Sequence, residues 1–69
     1  MALGGGGKNA SGRGDVYFEF TQIGNQMRVA AIDARTGTEV VVIAPVTASQ
    51  IQMQNLALAK LKRRLESQN

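Results

Sequence analysis

The sequence predicts an α+β domain in which a three-stranded antiparallel sheet packs on one C-terminal helix, in the order β-β-β-α. Three observations lead to this fold: β-forming segments occupy 16–44, short turn sequences separate them, and a capped amphipathic segment follows Pro45. A sheet with one apolar face and a helix with one apolar stripe bury those surfaces against each other. A chain of 69 residues has room for one such domain.

The three strands are predicted at 16–23, 26–33 and 38–44. The first strand holds all three aromatic residues, which favour strands. Gly24 begins a two-residue turn of type II′, because glycine accepts the positive φ of its first central position. Gly37 supplies the left-handed residue of the next turn, and Pro45 stops the third strand because it has no N–H to donate.

The helix is predicted from about residue 48 to residue 67. Thr47 is the expected N-cap, and Gln50 completes a capping box three residues later. Val46 and Ile51 stand at the two positions of a hydrophobic staple around that cap. The basic last turns complement the negative end of the helix dipole.

The turn lengths predict the strand register and therefore the two faces of the sheet. Phe20 is expected opposite Val29, and Val29 opposite Val42. The core face then consists of apolar residues on alternating positions: Phe18, Phe20, Met27, Val29, Ala31, Val40 and Val42. The helix is expected to cover it with one stripe, namely Ile51, Leu58, Leu61 and Leu65, with Ala57 at its edge.

Two apolar surfaces are left over and are candidates for contact with a partner. The first is the outer sheet face, the predicted self-association face: Tyr17, Ile23, Arg28, Ile32, Val41 and Ile43. Glu19 and Arg28 are expected to be diagonal neighbours there, able to form an ion pair. The second is a pair of helix residues outside the predicted stripe, Met53 and Leu56.

Residues 1–14 are predicted to form a flexible arm, and residues 15–69 the domain. The arm holds six of the eight glycines. Leu3 is its one sizeable apolar group after the first residue, so it buries too little apolar area to offset the entropy of ordering. Its start has no basic or apolar segment of the kind that directs secretion, and the interpretation is of a cytoplasmic protein.

Composition argues against catalysis, and we expect no enzyme, cofactor or metal site. The chain has no Cys and no His, so thiol chemistry, zinc–thiolate sites and imidazole proton transfer are excluded. Gly4–Gly7 with Lys8 lacks the preceding strand and the spacing of a phosphate loop. Arg13-Gly14-Asp15 is read as a chance tripeptide, and the five carboxylates have no cleft to share.

The net charge is +3, and its sharpest local feature is a basic run near the C-terminus. The candidate polyanion contacts are Lys60, Lys62, Arg63 and Arg64. They either complement the helix dipole or form a contact for nucleic acid or acidic lipid, helped by Lys8 and Arg13 on the arm, and binding to nucleic acid through phosphates would be weak. No apolar stretch reaches the ~18 residues of a membrane helix, so no membrane partner is expected.

The run Val16–Thr21 with Gly24, then Val29–Asp33, Thr36–Val40 and Pro45, resembles small bacterial proteins classed as domains of unknown function. This resemblance implies no activity. The element order also resembles the plant AP2-type domain and the arm-binding domain of tyrosine recombinases, which read DNA with Arg-rich outer sheet faces. Here that face has one arginine, Arg28, so the similarity is one of topology only. The C-terminal end faintly resembles a double-stranded-RNA-binding domain without its first helix.

Two functional hypotheses follow. The first is a non-catalytic protein-interaction module that self-associates as a homodimer, or binds another protein, through the outer sheet face. Strand edges offer a second route to self-association, and Met53 with Leu56 a third. The alternative is an accessory nucleic-acid-binding protein that uses the basic helix end and the arm.

Overall fold

The computed structural model describes residues 15–68, which form a β-β-β-α unit. The strands are β1 (Val16–Ile23), β2 (Gln26–Asp33) and β3 (Glu39–Pro45), and the helix is α1 (Gln50–Ser67). β2 lies between the other two strands in an antiparallel sheet, which confirms the predicted fold class. The predicted arm, residues 1–14, lies outside the described residues.

The strand register agrees with the prediction from turn lengths. Phe20 lies opposite Val29, and Val29 lies opposite Val42. Gly24 has φ +61° and Asn25 has a negative φ, as a type II′ turn requires. Short turns at Gly24 and Gly37 connect the neighbouring strands directly. The strands therefore cannot slip by one residue, which would exchange the two faces of the sheet.

The turn after β2 is held by Asp33, a buried carboxylate. Its Oδ2 accepts hydrogen bonds from the Thr36 N–H at 3.1 Å and from the Thr36 hydroxyl at 2.7 Å. Gly37, at φ +77°, donates its N–H to the Asp33 carbonyl at 2.7 Å. The side chain of Asp33 is therefore used in shaping the turn.

Pro45 is the last residue of β3, whereas the sequence analysis placed it just after the strand. The difference has a simple cause. The even-numbered residues of β3 form the backbone hydrogen bonds to β2. The N–H of residue 45 would point away from β2, so proline is tolerated there. A proline there removes no bond from the ladder.

The predicted N-cap, Thr47, was wrong by two residues. Ser49 is the N-cap: its hydroxyl accepts from the Gln52 N–H at 3.1 Å, and the Gln52 side chain accepts from the Ser49 N–H at 3.0 Å. The sequence holds two overlapping capping boxes, from Thr47 and from Ser49. A turn closed by the Ala48 N–H on the Pro45 carbonyl occupies Thr47, so the helix begins at the second box.

The predicted staple shifts with the cap. Val46 and Ile51 are exposed, and the corresponding positions around Ser49 are Ala48 and Met53. Ala48 packs against the core cluster that contains Met53. The same device is therefore built two residues later than expected.

The helix face that meets the sheet also differs from the prediction. The buried helix residues are Met53, Ala57 and Leu61, with Leu65 packed beside them, whereas Ile51 is 63% exposed and Leu58 36% exposed. Ala57 is fully buried in one cluster with Ala31 and Ala44 of the sheet. Small residues on the helix and on the sheet let the two approach closely. The row of every fourth residue from Met53 therefore packs on the sheet, in place of the row that contains Ile51 and Leu58.

The core lies between α1 and the predicted core face, which is confirmed as the buried one. Val29, Ala31 and Val40 are buried there, and Ala44 joins them. The helix packs mainly on β2 and β3. Phe18 and Phe20 of β1 are consequently only half-buried at the margin of the core.

Candidate interaction surface

The outer sheet face, opposite the helix, is made of four cross-strand rows. Each row takes one residue from β1, β2 and β3 in turn. The rows are Tyr17–Ile32–Glu39, Glu19–Ala30–Val41, Thr21–Arg28–Ile43 and Ile23–Gln26–Pro45. All six residues of the predicted self-association face therefore lie on this one surface.

An apolar band crosses these rows diagonally. It runs from Tyr17 through Ile32, Ala30 and Val41 to Ile43, a set that we call the apolar band. Tyr17 is 46% exposed and Ile43 54% exposed at its two ends, while Ile32 and Val41 are half-buried. Ala30 is fully buried in the middle strand, so the larger side chains around it form the accessible surface.

Three charged residues lie on this face: Glu39 is opposite Ile32, and Glu19 and Arg28 come from neighbouring rows. Glu19 lies opposite Ala30, and Arg28 opposite Thr21, so they are diagonal neighbours as the sequence indicated. Arg28 is half-buried between Thr21 and Ile43. Their ion pairing stays a prediction.

Ile23 lies apart from the apolar band. It is 57% exposed at the far corner of the face, and Thr21 and Gln26 separate it from the other apolar side chains. The sequence alone put it in one group with the others because it shares their side of β1. The register shows that it lies nearer to the sheet edge than to the band.

The predicted partner surface on the helix was half wrong. Met53 is 4% exposed and belongs to the core, because it lies on the row that packs against Ala57 and Leu61. Leu56 is 56% exposed and does face outward. It remains a candidate contact, without Met53.

Leu56 and Ile43 line one shallow groove at the β3 edge. The groove has a volume of about 510 Å³, and its other lining residues are Ala44, Pro45, Ala48, Gln52 and Asn55. The apolar band thus continues around the edge of the sheet toward the helix. Sequence reasoning treated these two residues as separate surfaces, since only the docking of α1 beside β3 brings them together.

The basic run is on the last turns of α1, and its four members are exposed. Lys60 differs from the rest because its Nζ donates a hydrogen bond of 2.7 Å to the Val41 carbonyl at the β3 edge. At about 100° per residue, Arg63 and Arg64 share the side of the helix that carries Lys60, and Lys62 points to the other side. The contact of Lys60 has no signal in the sequence, because it depends on where the helix lies.

The described residues offer few groups for metal binding or for insertion into a membrane. Among residues 15–68, no three His, Cys, Asp or Glu side chains are grouped so as to hold a metal ion. Over the same residues, α1 is not apolar enough along its length to pass through a membrane. What this part of the molecule offers is therefore surface: an apolar band, a groove, two strand edges and a basic helix end.

Comparison with known proteins gives a family and no activity. No curated protein and no solved structure matches the chain. A family model described as a domain of unknown function, DUF6898, matches residues 13–68, which include all three strands and the helix. The resemblance drawn from the strand and turn residues is thereby confirmed, and the chain belongs to the DUF6898 family.

Proposed function

We propose that this chain is a non-catalytic self-association module that forms a homodimer through the outer face of its sheet. The observation that carries the proposal is one-sided coverage within residues 15–68: α1 packs on one face of the sheet, and the apolar band lies on the other. Burial of apolar surface stabilises by about 25 cal/mol for each Å² removed from water. A two-fold axis lets one copy of the band cover another.

The size of the face indicates the strength of such a dimer. Three strands about 4.8 Å apart and eight residues of about 3.3 Å give a projected face of roughly 14 by 26 Å. That is about half of the ~800 Å² that each partner contributes to a standard stable interface. We therefore expect association at micromolar rather than nanomolar concentration.

The test is sedimentation equilibrium of the wild type beside Val41→Lys. Val41 is in the middle of the apolar band, so a lysine there places a charge where the two copies meet, and association should weaken at least about thirtyfold. Gln26→Lys is the matched control. It adds the same charge to the same face, but outside the band.

The proposal requires that the wild type dimerises at micromolar concentration, that Val41→Lys is monomeric there, and that Gln26→Lys resembles the wild type. A monomeric wild type, or a dimer that Val41→Lys leaves intact, refutes the outer-face contact. Circular dichroism of each variant establishes that the domain is folded.

The alternative, weak binding of nucleic acid, has support from charge alone. Lys62, Arg63 and Arg64 are exposed on the last turns of α1. Lys60, the fourth basic residue, is already hydrogen-bonded to the sheet. On the outer face, Tyr17 is the one aromatic side chain among the described residues that can stack on a base, so single strands should also bind poorly.

A further inference from the structure

The backbone groups of β1 that do not bond to β2 all point to one edge of the sheet, and no other strand of residues 15–68 pairs with that edge. The Ala34 N–H bonds to the Asp15 carbonyl at 3.1 Å, and the two-residue turn closes on Ile23 and Gln26. Since bonded positions alternate along an antiparallel pair, odd-numbered residues of β1 bond to β2. The N–H and C=O groups that face outward belong to Val16, Phe18, Phe20 and Gln22.

The opposite edge, on β3, is protected. By the same alternation its outward groups belong to Glu39, Val41 and Ile43, and the next outward position is Pro45, which has no N–H. The Lys60 ammonium is bonded to the Val41 carbonyl at 2.7 Å. Proline and lysine at a strand edge are two of the devices by which proteins prevent unwanted strand pairing.

β1 has neither device. Its eight residues contain no lysine or proline, and its one charged residue, Glu19, lies on the outer face. Within residues 15–68, no side chain hydrogen-bonds to its outward backbone groups. The helix lies over the other two strands, so Phe18 and Phe20 are left half-buried beside this edge.

We propose that β1 pairs antiparallel with β1 of a second copy, about a two-fold axis through Phe20. The two sheets then join into one sheet of six strands, with both helices on the same side. This contact uses the strand edge and is separate from the outer-face dimer, on which it does not depend.

A second copy fits this edge because the strand is complementary to itself in one register. If the outward groups are to bond to one another, the axis passes through a residue of β1, and an axis at Glu19 or Phe20 pairs more of the strand than an axis at any other residue. An axis at Glu19 sets two carboxylates directly opposite, which is destabilising. An axis at Phe18 sets Tyr17 opposite Glu19.

The axis at Phe20 avoids both arrangements. It pairs Tyr17 with Ile23 of the second copy, and these are the two exposed apolar side chains of β1. It also places Glu19 opposite Thr21 and brings the two Phe20 rings together on the core side. The exposure of Ile23, which the apolar band does not use, is explained by this register.

The register is tested with cysteines, because the chain has none of its own. Glu19→Cys and Thr21→Cys are made as separate proteins, each also carrying Val41→Lys to remove the outer-face contact. In the Phe20 register the two positions are a directly opposed pair with Cα atoms about 4.5 Å apart, within the range of a disulfide. Mild oxidation of the mixture should give the mixed disulfide dimer, and either protein alone should give little.

The contact itself is tested with Gln22→Pro against Gln22→Ala. Proline removes the outward N–H at residue 22 from both copies without removing a bond to β2, and alanine keeps that N–H. In the Val41→Lys background, at millimolar concentration, Gln22→Pro should weaken dimerisation at least about tenfold relative to Gln22→Ala.

The edge contact is overturned if the proline and alanine variants associate equally, and the Phe20 register is overturned if Glu19→Cys alone cross-links as well as the mixture. Loss of the micromolar dimer in Val41→Lys, with a millimolar dimer still sensitive to Gln22→Pro, supports both contacts. A micromolar dimer that survives Val41→Lys but not Gln22→Pro refutes the outer-face contact and retains the edge.

Discussion

Truncation of Met53 tests which row of the helix holds the domain together. Met53 is 4% exposed and packs in the core, while Ile51, two residues earlier, is 63% exposed. Met53→Ala removes three heavy atoms from the core and should cost about 2–3 kcal/mol, the lower part of the range for buried methionine. Ile51→Ala should change the stability by less than about 0.5 kcal/mol.

The difference is large for a domain of this size. With about 0.05–0.15 kcal/mol per ordered residue, the described part has a total stability of about 3–8 kcal/mol. Met53→Ala should therefore lower the Tm by roughly 10–20 °C, whereas Ile51→Ala should leave it almost unchanged. Thermal unfolding followed by circular dichroism at low micromolar concentration measures both.

The result that contradicts this packing is equal destabilisation by the two substitutions, or a greater cost at Ile51. A greater cost at Ile51 would place the helix on the row that the sequence pattern first indicated, and equal costs would mean that neither row alone holds the sheet. Because alanine favours helix at both positions, intrinsic helix propensity does not account for a loss at Met53 alone.

Two further predictions concern the ends of the helix. Ser49→Ala should destabilise the domain by about 1 kcal/mol, and Thr47→Ala should be nearly neutral, because the capping box is built on Ser49; equal effects in urea unfolding would contradict that assignment. Duplex DNA should bind weakly, without sequence preference and with affinity that falls steeply with salt, and Arg63→Gln with Arg64→Gln should weaken it further. Tight binding that survives moderate salt in a fluorescence titration would instead point to a specific site.

The sheet was predictable because its determinants are local. Two short turns at Gly24 and Gly37 set the register, and the alternation of side chains then assigns every strand residue to a face. The residues of the outer face, and the fact that many of them are apolar, could be predicted from this register and alternation alone. The diagonal course of the band and the separation of Ile23 follow from the same register, once each row is written out.

The helix face was not predictable from its own residues. Two apolar rows compete on α1, and the richer one, with Ile51 and Leu58, is the one left partly in water. The choice depends on Ala57 meeting small residues of two strands, which is a property of the packed pair. The N-cap was not predictable from local sequence either, because two capping boxes overlap and the turn after Pro45 determines which one is used.

The slope of the apolar band restricts how two sheets can stack. Between Tyr17 and Ile43 the band crosses two strand spacings, about 9.6 Å, while it advances four residues, about 13 Å, so it lies roughly 36° from the strand direction. When a two-fold axis lays one band along another, the tilts add, and the strands of the two sheets cross at about 70°. Such a dimer is nearer to the orthogonal class of sheet packing than to the aligned class.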